Sequence, residues 1–228
     1  MRGDGVNVLI TGANRGLGAM FTRLFAERGD RVVACCRNPE QANSIHNLEG
    51  VELMRLDMES QADMEQVRDS VPELDLLILN AGIYGRRVSA LGQIDVDDWR
   101  RVMRVNCEAP VLLLAMLRGA LEQGKGKKVA AITSKMGSIS DNTSGGAYAY
   151  RTSKTALNMA MKSAAVDLSS AGISVAVIHP GWVRTDMGGP NGLIDSETSV
   201  SGMIKVIDGL NASNSGSFWN YDGTPIAW

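Results

Sequence analysis

Thr11-Gly12-Ala13-Asn14-Arg15-Gly16-Leu17-Gly18 closes the apolar run Val6–Thr11 and opens an amphipathic stretch, and the reading of this segment decides the fold. Its glycines follow the spacing G-x-x-x-G-x-G. At a strand-to-helix turn, glycine permits a tight bend and lets a pyrophosphate approach the backbone. The helix N-terminus beyond offers unpaired N–H groups and the positive end of its dipole. A glycine cluster alone marks only a turn. Three glycines in this register, at the first βα turn of a βαβ unit, mark a dinucleotide cradle whose candidate contacts are Gly12, Asn14, Arg15, Gly16, Leu17 and Gly18.

Outward from this turn, strands and helices alternate. Val6–Thr11 reads as a strand, Gly16–Arg28 as a helix and Arg31–Cys36 as the next strand, with a short helix near Gln41–Leu48. Val51–Leu56, a helix over Gln61–Val71 and the almost wholly apolar Leu74–Leu79 continue the alternation. Such runs suit parallel strands covered on both faces. After a loop over Asn80–Ile94, the periodicity predicts one long helix, Val96–Glu122, ended by Gly124 and Gly126. Lys127–Thr133 is a strand, Ala147–Ser170 a helix stopped by Gly172, and Ile173–His179 a sixth strand. Val200, Met203, Ile204, Ile207 and Leu210 trace a helical face before a last short strand, Ser217–Tyr221. This order requires βαβ units with right-handed crossovers and a parallel sheet. No Pro/Gly/Ser-rich linker and no solenoid-length repeat interrupts it, so 1–228 is expected to be a single domain.

Bulk properties narrow the function. A net charge of −2 gives no electrostatic footprint for nucleic acid or an anionic membrane. Cys35, Cys36 and Cys107 are odd in number and lack CxxC spacing, which suits reduced thiols. The only histidines, His46 and His179, are far apart in sequence, so no metal site is expected. Met1–Asp4 runs straight into the first strand with no apolar signal region behind it. No apolar run approaches the about 20 residues that span a bilayer. The expectation is a soluble cytoplasmic protein with a small-molecule partner, no nucleic acid and no membrane.

The second strand ends at Cys36-Arg37-Asn38 without a carboxylate. NAD sites usually place Asp or Glu there to hold the adenosine ribose. Arg37 offers instead a planar fork for a 2′-phosphate, and Arg15 could reach the same phosphate, so NADP(H) is expected over NAD(H). The plainer reading of either arginine is a solvated surface charge. Tyr150 and Lys154 stand four residues apart on a predicted helix and share a face. An ammonium beside a phenol favours phenolate and is expected to lower the tyrosine pKa. Tyr84, Tyr148 and Tyr221 have no lysine at that spacing.

The glycine turn, Asn80-Ala81-Gly82 after the fourth strand and Tyr150-x-x-x-Lys154 together resemble the short-chain dehydrogenase/reductase family over essentially the whole chain. Asn106, Ser134 in Ser134-Lys135-Met136-Gly137, and Pro180-Gly181 with Thr185 match further family positions. Asp141–Gly146 and the short C-terminal end resemble the C-factor and sniffer-type carbonyl reductases within it. The resemblance implies a Rossmann-type doubly wound parallel sheet of about seven strands, order 3-2-1-4-5-6-7, with helices on both faces. It implies NADPH-dependent reduction of an aldehyde, ketone or quinone. Tyr150 would donate the proton, Ser134 would bond the carbonyl oxygen, and Lys154 would tune Tyr150 and hold the nicotinamide ribose.

Asn106 lies four residues before Pro110, whose missing N–H leaves the Asn106 carbonyl free to hold a water; the resemblance makes that water part of a proton relay. On the same footing Asp57 and Met58 would contact the adenine, though Asp57 also reads as a strand-end cap. Asn80, Ala81 and Gly82 would lie beside the adenosine ribose. Pro180, Gly181, Val183 and Thr185 would border the nicotinamide, and His179 reads as structural.

The stretch from Pro180 to Asp195 is short and glycine-rich, which predicts an open substrate site; Met136, Tyr84, Trp182 and Met187 are candidates for an apolar wall. The two long helices carry surplus apolar residues, Leu112, Leu113, Met116 and Leu117 on the first, and the resemblance implies a homodimer or homotetramer through them. Two other functions stay open: NADP-dependent alcohol oxidation by the same residues, and a cofactor-binding signalling protein of C-factor type.

Overall fold

The structure, a computed structural model, describes residues 5–88 and 90–228; Met1–Asp4, expected to lead into the first strand, and Ser89 of the Asn80–Ile94 loop lie outside the described residues. Seven parallel strands form one sheet in the order β3-β2-β1-β4-β5-β6-β7, the doubly wound arrangement expected. They are β1 (Asn7–Thr11), β2 (Arg31–Cys36), β3 (Val51–Arg55), β4 (Leu76–Leu79), β5 (Lys128–Ile132), β6 (Ser174–His179) and β7 (Ser217–Asn220). The helices are α1 (Gly16–Glu27), α2 (Gln61–Ser70), α3 (Val96–Met103), α4 (Ala109–Gln123), α5 (Tyr148–Asp167) and α6 (Ser196–Asp208).

Alternation along β1 shows how the layers arise. Val8 and Ile10 face α1 and α6, packing with Phe21, Phe25, Met203 and Ile207. Leu9 faces the other way, with Leu113, Leu117, Leu157 and Met161. Successive strand side chains point to opposite faces, so one strand feeds both cores. All four residues of β4 are buried, as a central parallel strand demands. Buried Asp75 accepts hydrogen bonds from the N–H groups of Asn7, Lys125 and Gly126, which locks the starts of β1, β4 and β5 together.

Two expected elements differ. Gln41–Leu48 is not a helix: a 3₁₀ turn over Pro39–Gln41 is followed by further hydrogen-bonded turns, with Ala42 and Ile45 buried. Two apolar anchors in a short segment hold it to the core, and the Asn43 carbonyl bonds the His46 ring instead of sustaining a helical ladder. The expected long helix contains a π segment at Arg104–Glu108, between α3 and α4, where the Ala109 N–H bonds the Arg104 carbonyl five residues back. Pro110 cannot donate to the Asn106 carbonyl, and the widened turn precedes it directly.

The surplus apolar face of α4 is smaller than expected. Leu113 and Leu117 are consumed by the sheet core, whereas Leu112 is exposed, as are Met159 and Val166 on α5. Among the described residues no helix is long and apolar enough to cross a membrane.

Candidate active site

The glycine turn is built by backbone conformation and by side chains reaching in from β4. Gly12 and Gly16 hold φ of +66° and +53°, a region that side chains with a Cβ disfavour. A Cβ at Gly12 would stand 3.0 Å from the Ala81 Cα, and one at Gly18 would collide with the Gly12 carbonyl. Asn80 Nδ2 donates to the carbonyls of Thr11 at 2.9 Å and Gly12 at 3.2 Å. Thr11 Oγ1 accepts from the N–H groups of Asn80 and Ala81, both at 3.0 Å. The end of β4 therefore clamps the turn. No side chain caps the N-terminus of α1, so its first N–H groups stay available to an anion.

A cleft runs across the C-terminal ends of the strands from this turn. Gly12, Asn14, Arg15, Gly16 and Leu17 line it together with Asn80, Ala81 and Gly82. Arg37, Asp57 and Met58 border one end; Tyr150, Lys154, Pro180 and Thr185 border the other. Gly18, Gly181 and Val183 are not in its lining. Gly18 packs beneath the turn, Val183 is buried, and Gly181 turns at φ +81° into a second cavity. Asp57 lines the cleft, and its Oδ1 accepts from the Glu59 N–H at 3.0 Å. Thr185 Oγ1 accepts from the Gly188 N–H at 3.1 Å, which shapes the loop after β6.

At the second end, Tyr150 is brought in by α5, whose first turn follows Gly145, Gly146 and Ala147, all at positive φ. The Ala147 N–H bonds the Val88 carbonyl at 2.8 Å, so the helix start is held by the loop after β4. Tyr150 and Lys154 are buried, at 8% and 4% exposure. Lys154 Nζ donates to the Ile132 carbonyl at 2.8 Å and lies 5.9 Å from the Tyr150 ring centroid. Burial pushes the Lys154 ammonium down to about 8.

The expected lowering of the Tyr150 phenol is reversed: burial pushes it up to about 12, a hydrogen bond with Ser134 opposes this, and Tyr84 adds to it. Desolvation of the buried phenol outweighs the lowering by Ser134. Ser134, at the end of β5, also accepts from the Met136 N–H at 3.1 Å. Asn106 uses its side chain fully: Oδ1 accepts from the Ile83 N–H at 2.8 Å, and Nδ2 donates to the Ile83 carbonyl and to Ser153 Oγ. Asn106 and Lys154 both flank Gly82, where a Cβ would stand 3.2 Å from Asn106 Oδ1 and 3.6 Å from Lys154 Nζ.

Several lining residues were not singled out in the sequence. Ile132 and Thr133 directly precede Ser134, and Asp186 directly follows Thr185, so the motifs themselves pointed to them. Arg101 comes from α3 and Val105 from the π segment, and no sequence pattern marks either as facing the cleft. Of the expected apolar wall, Met187 lines the cleft and Tyr84 stacks on Tyr150. Trp182 instead lines the second cavity, of about 580 Å³, alongside His179. Three free thiols are present: Cys35 and Cys36 are buried and Cys107 half-buried, and burial raises the pKa of each.

The short chain dehydrogenase profile matches residues 6–192. The C-signal of Myxococcus xanthus is 47% identical over 155 residues, covering 68% of this chain and 93% of that protein. Carbonyl reductase Sniffer of D. melanogaster superposes with a TM-score of 0.92 at 32% identity, covering 98% of this chain and all of the other. The NADPH-bound carbonyl reductase from chicken fatty liver superposes equally well, at 0.92 and 32% identity, over 98% and 99% of the two chains.

Proposed function

The chain belongs to the short-chain dehydrogenase family, and on that premise we propose that it reduces the carbonyl group of an aldehyde, ketone or quinone to an alcohol, with NADPH as cofactor. The observation that carries this reading is a buried Tyr150 beside Ser134 and Lys154, at one end of a cleft whose other end presents Arg37.

The residues fit such a cofactor. The glycine turn would take the pyrophosphate through Gly12, Asn14, Gly16 and Leu17, with Gly18 allowing α1 to pack close. Arg37 and Arg15 would hold the 2′-phosphate, and Asp57 and Met58 the adenine. Asn80, Ala81 and Gly82 would border the adenosine ribose, and Pro180 and Thr185 the nicotinamide, on a loop shaped by Gly181 and Val183. When bound, NADPH supplies the hydride for the carbonyl carbon.

Tyr150 gives its phenolic proton to the carbonyl oxygen, and Ser134 donates a hydrogen bond to the same oxygen. A phenol raised to about 12 carries its proton at neutral pH, and the same group takes the proton back when the reaction runs as an oxidation. Once the proton has left, the Lys154 ammonium stabilises the phenolate, and at a pKa of about 8 it is mostly charged at pH 7. Asn106 is a positioning residue, tying Ile83 to Ser153 and so the β4 loop to the helix that carries Tyr150 and Lys154.

The reading extends to a single domain over 1–228, in the cytoplasm, assembled as a homodimer or homotetramer through α4 and α5, on which Leu112, Met159 and Val166 are exposed. Light scattering of the purified protein tests the assembly; a monomeric mass at micromolar concentration would refute it. The function is tested by following NADPH consumption with a panel of aldehydes, ketones and quinones. No turnover with any of them would overturn it. The similarity to the C-signal favours one second reading, a cofactor-binding signalling protein, for which NADPH would bind without turnover.

A further inference from the structure

Arg15 and Asp186 form an ion pair across the mouth of the cleft, with NH1 and Oδ2 2.6 Å apart. One belongs to the glycine turn, the other to the loop between β6 and α6, and both line the cleft. The contact is short and charge-assisted. It commits Arg15 to the end bordered by Thr185 and Met187, away from the end bordered by Arg37 and Asp57. Among the described residues three arginines face the cleft: Arg15, Arg37 and Arg101. Arg101 is paired with Glu59 at 3.1 Å, and Arg37 has no carboxylate partner among the described residues. Whether the cleft offers one guanidinium or two to an added phosphate therefore turns on Asp186.

We propose that Asp186 is a specificity-determining residue that moderates the preference for NADPH over NADH by competing with the extra phosphate for Arg15. The inference rests on the function proposed above. A carboxylate and a phosphate compete for the same guanidinium fork, and only NADPH carries the second contender. Repulsion of the pyrophosphate by Asp186, common to both dinucleotides, cancels in their ratio. Arg15 and Asp186 are 66% and 79% exposed, so water screens the pair and the effect is moderate, about threefold in the ratio of dissociation constants.

The test is titration with NADPH and NADH, followed by nicotinamide fluorescence, for the wild type, Asp186→Asn, Asp186→Glu, Arg15→Ala and the Arg15→Ala/Asp186→Asn double variant, each checked for an unchanged melting temperature. Asp186→Asn should raise the preference for NADPH about threefold, and Asp186→Glu should return it toward wild type. Arg15→Ala should lower the preference, and adding Asp186→Asn to it should change nothing further. If Arg15→Ala weakens NADPH but Asp186→Asn is silent, or acts equally without Arg15, the inference fails and the 2′-phosphate reading stands. If Arg15→Ala leaves both dinucleotides unaffected, Arg15 is no phosphate ligand and both fall.

Discussion

The rings of Tyr84 and Tyr150 stack with centroids 4.5 Å apart and planes 22° from parallel, and the Arg87 guanidinium lies 4.9 Å from the Tyr84 centroid. Tyr84 thus covers one face of the proposed proton donor, so a substrate must meet the Tyr150 hydroxyl at the ring edge. Replacing Tyr84 with Ala should cost about 0.5–1.5 kcal/mol of stability for the lost stack. It should also lower the Tyr150 pKa, because Tyr84 contributes to raising it. Tyr84→Phe keeps the stack and should keep the stability. Thermal melts of the two variants check this; equal melting temperatures would contradict it.

Tyr150→Phe removes the proposed proton donor and leaves the ring in place. Turnover should drop by about 10²-fold or more. NADPH binding should stay within about twofold, because the cradle is built by β1, β4 and the glycine turn. Steady-state rates and a fluorescence titration on the same preparation decide it, and retained turnover would remove Tyr150 from the mechanism.

Lys154 is held down to about 8 by burial, from an ordinary 10.5. Reduction should therefore slow as pH rises through about 8 and the ammonium is lost. Stability moves the opposite way: between about 8 and 10.5 the unfolded chain binds the extra proton, so the Lys154 contribution to stability grows with pH. A pH–rate profile flat up to 10.5 would show that the charge on Lys154 is not needed.

His179 Nδ1 is buried with no hydrogen-bond partner among the described residues, and burial holds the ring down to about 4. Folded His179 resists a proton that the unfolded chain accepts near 6.5, so stability should fall as pH drops from 6.5 toward 4. Urea denaturation across that window should show a shallower decline for His179→Phe than for wild type. Parallel declines would mean that other groups carry the acid sensitivity.

Much of the fold was legible because its signals are local. The G-x-x-x-G-x-G turn, the Val8-Leu9-Ile10 alternation and the apolar β4 each need only neighbouring residues to be read. The Gln41–Leu48 helix failed because turn and helix share the same short spacing, and the anchoring of Ala42 and Ile45 to the core chose the turn. Pro110 announced a break, but not that the chain would answer it with a π segment, from which Val105 lines the cleft.

The sequence by itself determined the strand–helix order, the cradle and the Tyr150–Lys154 face, since backbone sterics and helical periodicity act over a few residues. The tertiary structure alone decided the Arg15–Asp186 pair, joined across 171 positions, the cover of Tyr84 on Tyr150, and the pKa values at the site. Contacts and desolvation depend on which distant segments meet. The reversal at Tyr150 is the clearest case: spacing supplied a neighbouring lysine, whereas burial decided in which direction the phenol shifts.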